Sequence, residues 1–106
     1  MTITDPWNMT DFGHVDSIIE LLHKVVSKEH PLYNRKVFPM AHRDQGRLVI
    51  FETDDSKVEE YYIVDFSENS SEQHNPPTEL IEGQSNLVRK MDVDLAEYLS
   101  KLPTEA

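Results

Sequence analysis

The chain predicts an α+β fold: a small, mainly antiparallel sheet of three to four strands, an N-terminal helix packed on it and a short C-terminal helix. Three observations lead there. The stretch Arg47–Phe66 holds two apolar runs, Leu48–Phe51 and Tyr61–Val64, on either side of the polar break Asp54-Asp55-Ser56-Lys57. Runs rich in β-branched and aromatic residues around a polar break are the sequence form of a β-hairpin. Both runs are apolar at consecutive positions, the pattern of strands covered on both faces, so the hairpin belongs in the middle of the sheet with something packed on each side. Val15, Ile18, Ile19, Leu22, Val25 and Val26 recur at helical spacing and form one apolar stripe. Short connections between the strands favour antiparallel pairing. At 106 residues the chain makes one domain, residues 1–106, because a second core would not fit.

Taken in order, Met1–Phe12 is expected to be an irregular lead-in, turned by Asp5-Pro6. Trp7, the sole tryptophan, is expected to be an anchor in the core, since large aromatics gain most from burial. The first helix is placed at Val15–Ser27, with Asp11 or Asp16 capping its start and Lys24 and Lys28 near its end. His30-Pro31 is expected to stop it. The first strand is placed at Lys36–His42. Pro39 removes a backbone donor there, so the strand is expected at an edge or with a bulge. Asp44-Gln45-Gly46 reads as a turn, with Gly46 free to take a positive φ. The break in the hairpin has no glycine, which predicts a loop of about four residues or longer. Ser67–Pro77 is polar and reads as a surface loop. Thr78–Ile81 reads as a short strand ended by Glu82-Gly83. The second helix is placed at Asp92–Leu102, with Asp92 or Asp94 as its cap and Val93, Leu95, Leu99 and Leu102 on its apolar side. Pro103 ends it.

Charge narrows the function classes. Twenty acidic residues against ten basic ones leave a net charge of −10. Direct nucleic-acid binding is disfavoured, because phosphate contacts need clustered Lys and Arg. A negative field instead attracts basic partners and speeds encounter with them; the plain alternative is that the acids only keep the protein soluble. There is no cysteine, hence no disulfide framework and no thiolate chemistry. Met1–Asn8 lacks a basic start followed by an apolar run, and no stretch approaches the roughly 20 apolar residues of a membrane span, so neither a signal peptide nor a membrane protein is expected. The expected location is the cytoplasm.

No reaction is spelled out by the residues. Five histidines, at 14, 23, 30, 42 and 74, are scattered without a His-x-x-x-His pair, so no metal site is expected. Three glycines, at 13, 46 and 83, form no phosphate cradle, and no cofactor is expected. The carboxylates Asp54, Asp55, Glu59 and Glu60 lie in or beside a polar hairpin tip, where solvation keeps them ionised. Asp65 stands among apolar neighbours and, if buried, needs a partner such as Arg43, Arg47 or His42. A pocket lined by His42 and Asp65 would revive an enzymatic reading; without one, no catalysis is expected.

Four segments carry a family resemblance: His30-Pro-Leu-Tyr-Asn-Arg-Lys-Val-Phe-Pro-Met40, Leu48-Val-Ile-Phe51, Tyr62-Ile-Val-Asp-Phe-Ser67 and Pro77-Thr-Glu79. They resemble a class of small bacterial proteins in which a strand of the form Tyr-Ala-Ile-Val-His-Leu-Thr-Trp-Ser is followed by a polar loop, a Pro-Thr-Glu segment and a short C-terminal helix. Some members look like immunity proteins of bacterial toxin systems. This chain departs from the pattern at its His and Trp, having Asp65 and no aromatic there. The likeness covers the middle and last third of the chain. It implies a protein that binds and blocks a cognate secreted or contact-delivered toxin, and it transfers no catalytic residue.

The expected function is therefore stoichiometric inhibition of a toxin with a basic surface, such as a nuclease, by a monomer or weak homodimer. Tyr61, Tyr62 and Phe66 are expected near the surface as an apolar anchor. Asp54, Asp55, Glu59, Glu60, Glu68 and Glu72 are expected to form the acidic rim around it, the usual layout of a tight interface. The alternatives are an acidic DNA mimic of anti-restriction type and a non-catalytic subunit or regulatory module of a larger assembly.

Overall fold

The computed structural model describes residues 3, 5–33, 35–53, 60–66 and 75–101. Along the chain it contains β1 (Asn8–Met9), α1 (Phe12–Val25), β2 (Val37–Arg43), a 3-10 turn (Asp44–Gly46), β3 (Leu48–Thr53), β4 (Glu60–Asp65), β5 (Thr78–Glu82) and α2 (Gln84–Lys101). The strands form one antiparallel sheet in the order β1-β2-β3-β4-β5, so every strand pairs with its neighbours in sequence. The fold is α+β, with five strands where three to four were expected. The extra one is β1: the lead-in is not wholly irregular but pairs Asn8 with His42 and Met9 with Ala41.

The central hairpin lies where its apolar runs require. Its side chains alternate between two cores. Val49, Phe51, Tyr62, Val64 and Phe66 face one way and pack with Leu22, Val25, Val26 and Leu32. Ile50, Tyr61 and Ile63 face the other way and pack with Trp7, Ala41, Ile81, Leu87 and Met91. The first core is covered by α1 and the segment after it, the second by α2 and the lead-in. A layer on each face is what the consecutive apolar runs demanded. Trp7 is the core anchor expected of it, 2% exposed.

Helix boundaries differ from expectation. α1 starts at Phe12 and ends at Val25, well before Pro31. Its end is set from outside: the Asn75 N–H donates to the Val25 carbonyl at 3.1 Å, and the Ser27 N–H donates to Asn75 Oδ1 at 2.7 Å. Asp11 occupies the N-cap position without a side-chain cap bond. α2 starts at Gln84, eight residues before the expected Asp92. Gly83, at φ +86°, turns the chain out of β5, a conformation that costs a residue with a Cβ. The Leu87 N–H then reaches the Gly83 carbonyl, and the Asn86 side chain donates to the Glu82 carbonyl. The helix therefore uses Leu87 and Met91 as its buried stripe, and Asp94 is an inward-facing mid-helix residue rather than a cap. The side offered by Val93 and Leu99 is 51% and 55% exposed.

Two local readings hold. β2 shifts register between Pro39 and Ala41, which is the bulge expected at the proline. Gly46 takes φ +87° in the turn after Asp44.

Candidate functional site

Of the expected binding residues, Asp54, Asp55, Glu59, Glu68 and Glu72 lie outside the described residues. Tyr61, Tyr62 and Phe66 are 9%, 5% and 9% exposed, a correction to their expected place at the surface. The pleat sends Tyr61 under α2 and Tyr62 and Phe66 toward α1, and both layers cover their side of the hairpin. The apolar anchor is core. Glu60 is half-buried and already engaged: Arg35 Nη2 donates to Glu60 Oε1 at 3.3 Å and Arg35 Nη1 to the Tyr62 hydroxyl at 3.1 Å. The Tyr62 hydroxyl donates in turn to Glu60 Oε2, and the guanidinium stands 5.7 Å from the Tyr62 ring centroid. This closed triad ties the segment after α1 to the start of β4. Beside it opens a cleft of about 470 Å³ with Ile19, His23, Lys36 and Phe38 in its walls.

A second polar cluster sits under α2. The Trp7 indole N–H donates to Asp94 Oδ2 at 2.8 Å, joining residues 87 apart in sequence. Lys90 Nζ lies 3.2 Å from Asp94 Oδ1 and Arg43 Nη1 3.8 Å from Oδ2. Arg43 also stacks over the Trp7 ring at 5.6 Å and meets Asp44. Asp94 is 3% exposed, and two cations and an indole donor offset its burial, as a buried carboxylate requires.

A third cluster ties the segment after α1 to β5. The His30 ring accepts from the Leu32 N–H at Nδ1, so its Nε2 carries the proton and donates to Thr78 Oγ1 at 2.7 Å. The Thr78 hydroxyl donates in turn to the Pro76 carbonyl at 2.9 Å. Burial holds this imidazole below its ordinary value of 6.5, against the opposing effect of the Pro76 backbone.

His42 and Asp65 do not meet. His42 pairs with Val49, whose side chain faces α1, while Asp65 pairs with Leu48, which packs toward α2. Directly opposite residues share a face, so the register puts the two on opposite sides of the sheet. His42 lines a cavity with His14, Ile18 and Leu21 instead. Among the described residues no group of three or more His, Asp or Glu is placed to hold a metal ion. No described helix is long and apolar enough to cross a membrane.

A further surface feature is the side of β5 left unpaired among the described residues. Among the described residues β5 ends the sheet, paired to β4 alone. An open groove of about 480 Å³ runs along it, walled by Leu80 and Ile81 on the strand and by Arg89, Lys90 and Val93 on α2. Leu80 is 44% exposed and Val93 51%. Glu79 and Glu82 are exposed, and neither has an ion-pair partner among the described residues. Reading the sequence missed this site because Glu-Leu-Ile-Glu looked like any short strand. The available signal was that it is the last strand before a helix, so one side of it would stay unpaired. In comparisons of the chain with family models, curated proteins and solved structures, none matched.

Proposed function

We propose that this chain is an immunity-type inhibitor that binds a cognate bacterial toxin in the cytoplasm and blocks it at a fixed molar ratio. One observation carries the reading: an edge strand with exposed Leu80 and two carboxylates that have no ion-pair partner among the described residues, on a chain of net charge −10. A partner with a basic surface gains encounter rate from the field and specificity from the edge carboxylates. Exposed Leu80 and Val93 supply apolar contact area beside them. The resemblance of the middle and last third to immunity-like proteins points the same way.

The test is a titration of the cognate toxin, sought first in the reading frames beside this gene. Protection should rise linearly to a fixed molar ratio, and the toxin should be recovered chemically unchanged after denaturing separation. Protection at a small fraction of that ratio, or a modified toxin, would make this an antidote enzyme.

A second reading, a non-catalytic subunit, draws on the exposed Tyr98 and Leu99 at the end of α2. It expects Leu99→Ser to release the protein from a constitutive complex, which the inhibitor reading does not.

A further inference from the structure

The side of β5 left unpaired among the described residues is specific about what would pair with it. We infer that β5 accepts an extended segment of the partner protein as a sixth strand, and that this segment reads basic-apolar-apolar-basic. This rests on the inhibitor reading for the partner's identity; the geometry of the edge stands apart from it.

Cross-strand register fixes the faces. Glu79 and Ile81 pair with Ile63 and Tyr61 and so face α2, while Leu80 and Glu82 pair with Tyr62 and Glu60 and face α1. Glu60 and Glu82 are therefore like charges directly opposite, an unfavourable arrangement in a sheet. Arg35 compensates Glu60 at 3.3 Å. No described cation pairs with Glu82 or Glu79. On the α2 wall Lys90 is committed to Asp94 at 3.2 Å, which leaves Arg89 against two carboxylates. The edge keeps a negative excess in a chain that is already acidic.

An added strand would place one residue opposite each of Glu79, Leu80, Ile81 and Glu82, within the reach of cross-strand pairs. Lys or Arg at the two ends compensates the carboxylates, one on each face. An apolar residue opposite Leu80 covers that exposed side chain, and one opposite Ile81 enters the groove toward Val93. The pattern is its own reverse, so parallel and antiparallel addition ask for the same residues. Main-chain hydrogen bonds supply the affinity and the alternating side chains the specificity, as in other strand additions. A second copy of this chain is the poorer occupant, since it brings another ten negative charges.

The test is a charge swap. A peptide Ser-Lys-Val-Ile-Lys-Ser and its acidic counterpart Ser-Glu-Val-Ile-Glu-Ser are titrated into the wild type and into Glu79→Lys/Glu82→Lys, with backbone amide shifts as the readout. The wild type should take the basic peptide, with shifts centred on residues 78–82 and slowed exchange of outward-facing β5 amides. The double variant should bind it about tenfold more weakly and prefer the acidic peptide. Circular dichroism and an unfolding curve confirm that the variant folds. Equal binding of both peptides, shifts elsewhere, or a dimer of the wild type that the swap abolishes would overturn the inference. The variant is then titrated against the toxin. Undiminished protection would refute the edge as the contact while sparing the inhibitor reading. Peptide selectivity with no protection even by the wild type would refute the inhibitor reading while sparing the edge.

Discussion

Replacing Asp94 by Ala tests whether the cluster under α2 holds the two ends of the chain together. The carboxylate is 3% exposed and accepts from the Trp7 indole at 2.8 Å. Losing a hydrogen bond to a charged acceptor and stranding a buried N–H costs about 1.5–3 kcal/mol. The two cations add less. The Arg43 and Lys90 side chains are 24% and 37% exposed, so each can regain water, and each pair contributes about 0–1 kcal/mol. Asp94→Ala should therefore lose about 2–4 kcal/mol, short of the full penalty for breaking a wholly buried ion pair. Asp94→Asn keeps an acceptor for the indole and should lose about 1–2 kcal/mol. Urea unfolding measures both, and the sole tryptophan is the built-in probe, since its fluorescence reports the environment of the indole that Asp94 binds. A loss below about 0.5 kcal/mol for Asp94→Ala, the range of ordinary surface substitutions, would refute the argument that this contact is desolvated and structural.

Other outcomes follow from the same geometry. Leu22, fully buried between α1 and the sheet, should cost about 2–5 kcal/mol on truncation to Ala, read from the urea midpoint. Gly83→Ala forces a Cβ into φ +86° and should cost about 1 kcal/mol; an unchanged midpoint would mean the turn into α2 relaxes. His30 gives a pH signature. Its pKa is lowered in the folded state, so the unfolded chain binds the proton first. Its contribution is fully present above 6.5, its ordinary value, and is lost as pH falls through the depressed folded value. His30→Gln should flatten that part of the stability-against-pH curve, and an unchanged slope would assign it to other groups. Arg35→Ala opens the triad with Glu60 and Tyr62 and should cost about 1 kcal/mol, with the fold intact by circular dichroism.

β2, β3 and β4 were legible because each carries a local signal: consecutive β-branched and aromatic residues in β3 and β4, and a proline that could only mark a bulge or an edge in β2. Trp7 was legible as an anchor from size alone. What could not be read were features set by distant contacts. α1 stops at Val25 because Asn75 takes its last carbonyl, and nothing near Val25 announces that. α2 was placed too late because Asp92 and Asp94 look like caps, whereas Asp94 turns inward to an indole at the other end of the chain. The apolar part of the expected interface lies in the core for a related reason. Two helices alone would leave Tyr61, Tyr62 and Phe66 near the surface, but the segment after α1 and the lead-in complete both layers. The open edge was then left to β5, whose Glu-Leu-Ile-Glu carries no mark of an interface until its neighbours are known.

The hydrogen bond between Trp7 and Asp94 also bears on the order of folding. From β2 to β5 each strand pairs with the next in sequence, so that part of the sheet can grow hairpin by hairpin, whereas β1 joins β2 only across α1. The contact across 87 residues does not belong to that series. Formed early, it would close a long loop with few contacts yet made to offset the entropy. Formed after the meander and α2 are in place, it closes almost none. It is therefore expected to form late, and its loss should speed unfolding while leaving the folding rate nearly unchanged. The clasp governs how long the folded molecule lasts rather than how quickly it forms, and proteolytic lifetime under fast-cleaving conditions would report on it directly.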